Sequence, residues 1–168
     1  MKQIIALCLF VLLLLFGCSS ENDGQSVTFY YPRVTYTQNS DDSVVAAETR
    51  EDINPGTLAQ LLNQYLQGPK DPLLKNPFPK DTSILSVYIR EDTVYVTVSD
   101  HLAQLNGVNL IIACTSLGKT AAHMYQTSDA CIICETAQLD GKNSILISDS
   151  TILYLDTVTT ETTTPVTE

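Results

Sequence analysis

The feature that most limits what this chain can become lies at its start. Lys2 is followed, at positions 4–16 (IIALCLFVLLLLF), by an unbroken apolar run, and no further charge occurs before Glu21. A membrane-crossing helix needs about twenty apolar residues, whereas a run of roughly ten to fourteen behind one positive charge has the build of a secretory leader. Positions 1–17 are therefore read as a signal segment outside the folded core, and whatever follows folds beyond the cytoplasm.

The leader closes on Leu15-Phe16-Gly17-Cys18, which resembles the bacterial lipobox. A peptidase pocket at such a site admits only a small side chain, here Gly17, and the thiol of Cys18 is the nucleophile that takes up diacylglycerol. Several fatty-acyl chains, palmitate among them, then make a lasting anchor where one would be marginal. Cys18 is thus the expected lipidation site, and the cell membrane's outer face the expected location. An uncleaved anchor helix, or an ordinary signal peptide beside an incidental cysteine, would leave the body on that same side. The expected layout is a leader at 1–17, a small polar tether at 18–26, a folded domain at 27–156 and a tail at 157–168. The tail is rich in Thr and has no large core residue, so it is expected to be unstructured.

Apolar residues make up 44% of the chain and charged residues 17%, a globular balance. Nineteen acids against nine Lys and Arg give a formal charge of −10, or −11 once Lys2 leaves with the leader. That excess speaks against nucleic acid, which needs clustered cations. It also repels anionic lipid, so membrane contact is expected only through the anchor.

Residues 27–36 (VTFYYPRVTY) read as a strand, with Pro32 marking an edge or a break, and residues 43–51 as a weaker returning strand. Asn54-Pro55 reads as the N-cap and first position of a helix with Leu58, Leu61, Leu62, Tyr65 and Leu66 on one face, stopped by Gly68-Pro69. A proline-rich loop follows, with Leu73, Leu74 and Phe78 expected to pin it. Residues 83–90 and 93–99 alternate as a hairpin. A second helix over 108–125 has Leu110, Ala113, Cys114, Leu117, Ala121 and Met124 inward and Gly118 on the other side. Residues 130–136 read as another strand, and 144–148 and 152–155 as short sheet extensions. The order β-β-α-β-β-α-β implies an α+β two-layer sandwich, a mainly antiparallel sheet with two amphipathic helices on one face.

These pieces, in order, resemble the GerM (GerMN) domain of spore-forming and related bacteria, over about residues 27–142. The resemblance rests on Phe29-Tyr30-Tyr31-Pro32, on Val44-Val45 with Arg50, and on Leu61-Leu62 ahead of Gly68-Pro69-Lys70-Asp71-Pro72. Downstream it rests on Pro77 to Pro79, Leu85-Ser86-Val87, the strand at 94–99, Thr115-Ser116-Leu117 and Asp140-Gly141-Lys142. One copy fits here, whereas sporulation members can carry two. The resemblance implies a lipid-anchored interaction or assembly module of the envelope, tied to sporulation or germination, with no catalytic residues. It implies an envelope protein partner and allows self-association. The other readings are a small-ligand- or cell-wall-binding lipoprotein and an envelope hydrolase or thiol oxidoreductase.

The side chains give catalysis little to work with. Cys131-Ile132-Ile133-Cys134 has the spacing of a redox pair but lies in a strand, where residues three apart face opposite sides. Cys114, Cys131 and Cys134 are expected as buried thiols, with a Cys114 disulfide to one strand cysteine left open. His123 lies half a helical revolution from Cys114, and His101 follows Asp100 at a strand exit, so neither makes a dyad. No zinc or calcium spacing is present, Asp41-Asp42 included, and no phosphate loop, so no cofactor or metal is expected. Tyr30, Tyr36, Tyr88 and Tyr95 are candidates for an exposed aromatic strip. The leader yields the first testable outcome: mass spectrometry of the native product shows residues 1–17 gone and a lipid adduct on Cys18, and an intact Met1 with a bare thiol at position 18 removes the anchor.

Overall fold

The computed structural model describes residues 25–35, 43–53 and 56–151. The leader, Cys18, most of the tether, Tyr36, Asp41-Asp42, Asn54-Pro55, the run at 152–155 and the tail lie outside the described residues. The architecture is α+β. Strands β1 (Gln25–Pro32) and β2 (Val45–Ile53) form an antiparallel ribbon. Helix α1 (Leu58–Tyr65) follows, then the hairpin of β3 (Ile84–Arg90) and β4 (Thr93–Val98). A 3-10 turn (Asp100–Gln104) leads into α2 (Gly107–Tyr125), and β5 (Asp129–Cys134) and β6 (Ile145–Ser148) complete the chain.

The sequence suggests a single sheet, but the strands divide into two. β1 and β2 stand apart, and the other four run β3-β4-β5-β6. β4 and β5 are parallel because α2 connects them as a crossover; the remaining pairs are antiparallel. Val94, Val96 and Val98 alternate inward and are fully buried beneath the helices.

Helix α1 starts later than Asn54-Pro55 suggests, because a capping box sets its first turn. The Thr57 hydroxyl accepts the Gln60 N–H at 3.2 Å while the Gln60 side chain accepts the Thr57 N–H at 2.8 Å. At the other end Gly68 adopts φ +102°, and Asn76 donates to the Leu66 carbonyl at 2.8 Å. In the loop beyond, Leu74 and Phe78 are buried as expected, but Leu73 is 68% exposed. Leu73 contributes main chain instead: its carbonyl accepts from Val34 N–H at 2.8 Å, and Lys75 N–H donates to the Pro32 carbonyl at 2.9 Å.

Helix α2 is enclosed on more than one side, because it packs on β4, β5 and β6 and also against β1. This overturns the expectation that Gly118 is turned away from the core. A methyl added there would lie 2.7 Å from Ile147 Cβ on β6, closer than carbon atoms pack. The glycine is what lets helix and strand approach. Replacing it with Ala forces the pair apart and costs about 1–3 kcal/mol. In urea, Gly118→Ala is expected to lower the unfolding midpoint with an unchanged slope; an unaltered midpoint would show that the contact yields freely.

Candidate functional site

On the inner face of β2, Glu48 and Arg50 stand two residues apart, opposite Phe29 and Val27 of β1. The Arg50 guanidinium lies 4.7 Å above the Phe29 ring. Its Nε donates to Glu48 Oε1 at 2.5 Å, and its Nη2 donates to the Gly68 carbonyl at 2.8 Å and to Tyr31 Oη at 3.3 Å. The second Glu48 oxygen accepts the N–H groups of Lys70 and Asp71, both at 2.8 Å. One carboxylate and one guanidinium thus clamp the Gly68-Pro69-Lys70-Asp71 turn to the ribbon. The turn is a helix stop whose main chain is tied down.

Beneath the clamp is an aromatic cluster. Tyr65 stacks on Phe29 at 5.6 Å, meets Tyr31 at 4.7 Å and takes Phe78 edge-on at 5.3 Å. Tyr31 Oη donates to the Tyr65 carbonyl at 2.7 Å, and Tyr65 Oη donates to the Tyr30 carbonyl at 2.8 Å. Burial raises both phenols above their usual range, so neither ionises at physiological pH. Burial also pushes the Glu48 carboxyl up, but the N–H groups of Asp71 and Lys70 and the Arg50 guanidinium outweigh it and hold the carboxyl below its ordinary value.

The cysteines sit where strand geometry puts them. Ala130, Ile132 and Cys134 face inward, whereas Cys131 pairs with Tyr95 on the opposite face. All three described cysteines are free and buried. Burial, then the neighbouring Cys134 and Asp140, push the Cys114 thiol up to about 12, the reverse of what a nucleophile needs. Cys114 is enclosed while His123 is exposed and set edge-on to Tyr30 at 5.8 Å. Asp100 is a loop cap: it accepts the N–H groups of Thr136 and Ala137, each at 2.9 Å, and the Thr136 hydroxyl. His101 is exposed, 3.3 Å from the Ser99 hydroxyl. Among the described residues no group of three or more His, Cys, Asp or Glu could hold a metal ion, and no helix is long and apolar enough to cross a membrane. Described residues outline a 180 Å³ groove lined by Val27, Leu58, Leu61, His123 and Met124, a shallow 630 Å³ groove by His123, Gln126, Ser128 and Asp149, and a shallow 560 Å³ groove over the clamp, lined by Glu48, Arg50, Lys70 and Asp71; the last two fall within the roughly 300–1,000 Å³ typical of ligand sites.

The tyrosines do not form a single strip. Tyr30 belongs to the ribbon, between His123 and the Lys119 ammonium, 5.5 Å from its ring. Tyr88 and Tyr95 are paired across β3 and β4 with parallel rings 4.8 Å apart. They stand on the sheet face opposite the helices. The pairings continue the row through Cys131 to Leu146, which is 65% exposed, while Tyr88 and Ile89 at the β3 edge are each 50% exposed.

Among the described residues, a helix-covered sheet with a clamped ribbon, one uncovered face and an apolar edge makes an α+β scaffold. The family model for sporulation and spore germination (Germane) matches residues 28–128, and the chain belongs to that family. The tandem GerMN domains of the sporulation protein GerM from Bacillus subtilis share the fold at TM-score 0.57 and 14% identity, over 80% of this chain and 48% of that one. The chain therefore spans about half the length of that tandem protein. A provisionally assigned lipoprotein from Clostridium perfringens aligns at TM-score 0.46 and 20% identity over 77% of this chain and 90% of that one, too loosely to carry an argument. No curated protein matches the sequence.

The clamp gives a pH signature. A carboxyl held below its unfolded value of about 4.3 stabilises fully above that pH and progressively less as pH falls through the folded value. Glu48→Gln is expected to cost about 1–3 kcal/mol near neutral pH. It should also flatten, though not abolish, the acid limb of stability, since Asp92 and Asp100 are lowered too. Thermal melts from acid to neutral pH check this, and parallel curves for parent and variant would show that the clamp is not titrating.

Proposed function

We propose that this chain is a lipid-anchored, extracytoplasmic GerM-type domain that works as a protein-interaction and assembly module of the cell envelope, in sporulation or germination. Cys18 would carry the anchor, and the tether would hold the acidic body clear of anionic lipid. The observation that carries the reading is the uncovered sheet face with its stacked Tyr88–Tyr95 pair and the exposed apolar residues at the β3 edge. Tyrosine is a common anchor of interfaces, since it contributes apolar area and a polar tip at low entropic cost.

The test is affinity capture of the full chain from detergent-solubilised envelopes of growing and of sporulating cells, beside a Tyr95→Ala chain. Specific retention of an envelope protein, or of untagged copies of this chain, that falls at least about tenfold with Tyr95→Ala supports the reading; an effect that size corresponds to about 1.4 kcal/mol. Equal recovery by both chains, or none from either kind of cell, would count against it.

A further inference from the structure

The sheet edges are not alike. On β1, the outward groups of Tyr30 are taken by side chains, its N–H by Thr120 Oγ1 at 2.9 Å and its carbonyl by Tyr65 Oη at 2.8 Å, and Pro32 is bridged by Lys75. β2 carries Glu48, Arg50 and Glu51, and β6 is only four residues long. Charge, shortness and covering are the usual means of blunting an edge. Among the described residues the Val87–Ile89 stretch of β3 has none of them: the strand runs seven residues, its only charge is Arg90 at the end, and side-chain covering meets it at its start, where Ile84 N–H donates to Asn63 Oδ1 of α1 at 3.1 Å.

The ladder fixes which β3 groups are free. Val98 gives its carbonyl to Glu135 N–H on the β5 side, and Ser99 N–H donates to the Ser83 carbonyl on the β3 side. By alternation Thr93, Tyr95 and Thr97 bond to β3, and their partners Arg90, Tyr88 and Ser86 bond back. Val87 and Ile89 therefore point their N–H and C=O groups outward, away from the sheet.

We infer that β3 pairs with β3 of a second copy, antiparallel about a two-fold axis at Tyr88. This deepens the assembly reading, on which it rests, by naming surface and partner. In that register Val87 of one copy exchanges hydrogen bonds with Ile89 of the other, and the reverse, so all four groups are used in both copies. Val87 and Ile89 cover each other on the helix side. Tyr88 meets its counterpart on the bare face, extending the Tyr95–Tyr88 stack through the axis. Two registers compete. An axis at Ile89 pairs Val87 with Glu91, which sits in the turn at φ 56°, and an axis at Val87 uses Leu85, in the irregular stretch between Ile84 and Ser86. Charge favours the Tyr88 axis over the Ile89 one. It separates the two Arg90 positions by four residues, about 14 Å, beyond a Debye length of about 8 Å, whereas the axis at Ile89 halves that distance.

Position 88 is then a non-hydrogen-bonded pair with itself, its Cα atoms about 4.5 Å apart, within disulfide reach. The full chain carrying Tyr88→Cys, in the membranes of the cells that make it and under mild oxidation, is expected to migrate as a reducible dimer. It should do so at least about tenfold more than chains carrying Ser86→Cys or Arg90→Cys, each of whose copies sit about 14 Å apart. Coexpressing the Ser86→Cys and Arg90→Cys chains should restore the link, because those positions face each other across the axis. Adding Ile89→Lys to Tyr88→Cys should remove it. Equal linking at all three positions, linking only to a different protein, or a monomer at Tyr88→Cys overturns the pairing. A β3-bound envelope protein in the capture experiment beside a monomer here would leave the assembly reading standing and this inference refuted.

Discussion

An isolated two-stranded ribbon is marginal in water, so the fold depends on how β1 and β2 are joined to everything else. No backbone ladder makes the join; hydroxyl groups and a borrowed loop do. Thr120 on α2 and Tyr65 on α1 satisfy the outward N–H and carbonyl of Tyr30. One residue of β1 therefore fastens both helices. The aromatic rings beneath add apolar burial to that polar seam, with Phe29, Tyr31 and Tyr65 wholly enclosed. Each part presupposes the others, since buried phenols without partners would be costly and a ribbon without the phenols would detach.

The clamp extends the same logic outward. Arg50 has an aromatic surface beneath it and the Gly68 carbonyl beside it, while Glu48 takes two main-chain donors from the turn. A charge pair at a partly covered site offsets its desolvation only when its remaining hydrogen-bonding capacity is used. Here it is used by the loop that leaves α1, so the pair fixes the path of the chain between ribbon and sheet.

Much of this was legible in the sequence because it follows from periodicity. The alternation of Val94, Val96 and Val98, the Leu61–Leu62–Tyr65 face and the Gly68 stop all appear where local rules place them. The start of α1 is ambiguous in the sequence because Asn54-Pro55 offers an attractive cap, while the Thr57–Gln60 box uses equally suitable residues three positions on. The packing of Gly118 against Ile147 is hidden from the sequence because a single buried stripe has no place for a helix packed on two sides. The split into two sheets is a tertiary outcome with no local mark. The clamp did leave a trace: Glu48 and Arg50 occupy the inward phase of β2, set by Ala46, opposite Val27, Phe29 and Tyr31. Charges in phase with a buried face signal either an error of register or a paired site.

The same rule of satisfied main chain gives the exposed β3 edge its meaning. Within one domain the hydroxyls of Thr120 and Tyr65 cap β1, the Lys119 ammonium holds the Asp149 and Thr151 carbonyls where the chain leaves β6, and carboxylates gather on β2. A chain that covers its other edges so thoroughly has the means to cover β3 as well. A lysine in place of Ile89 would do it without touching the core, because Ile89 is half exposed. Instead Val87, Tyr88 and Ile89 place two apolar groups and one aromatic ring around four outward hydrogen-bonding groups. That arrangement is complementary to itself when reversed, because the residues flanking Tyr88 are both β-branched and apolar. In a chain carrying ten net negative charges, whose copies repel at long range, an approach along an edge with so little charge keeps that repulsion low.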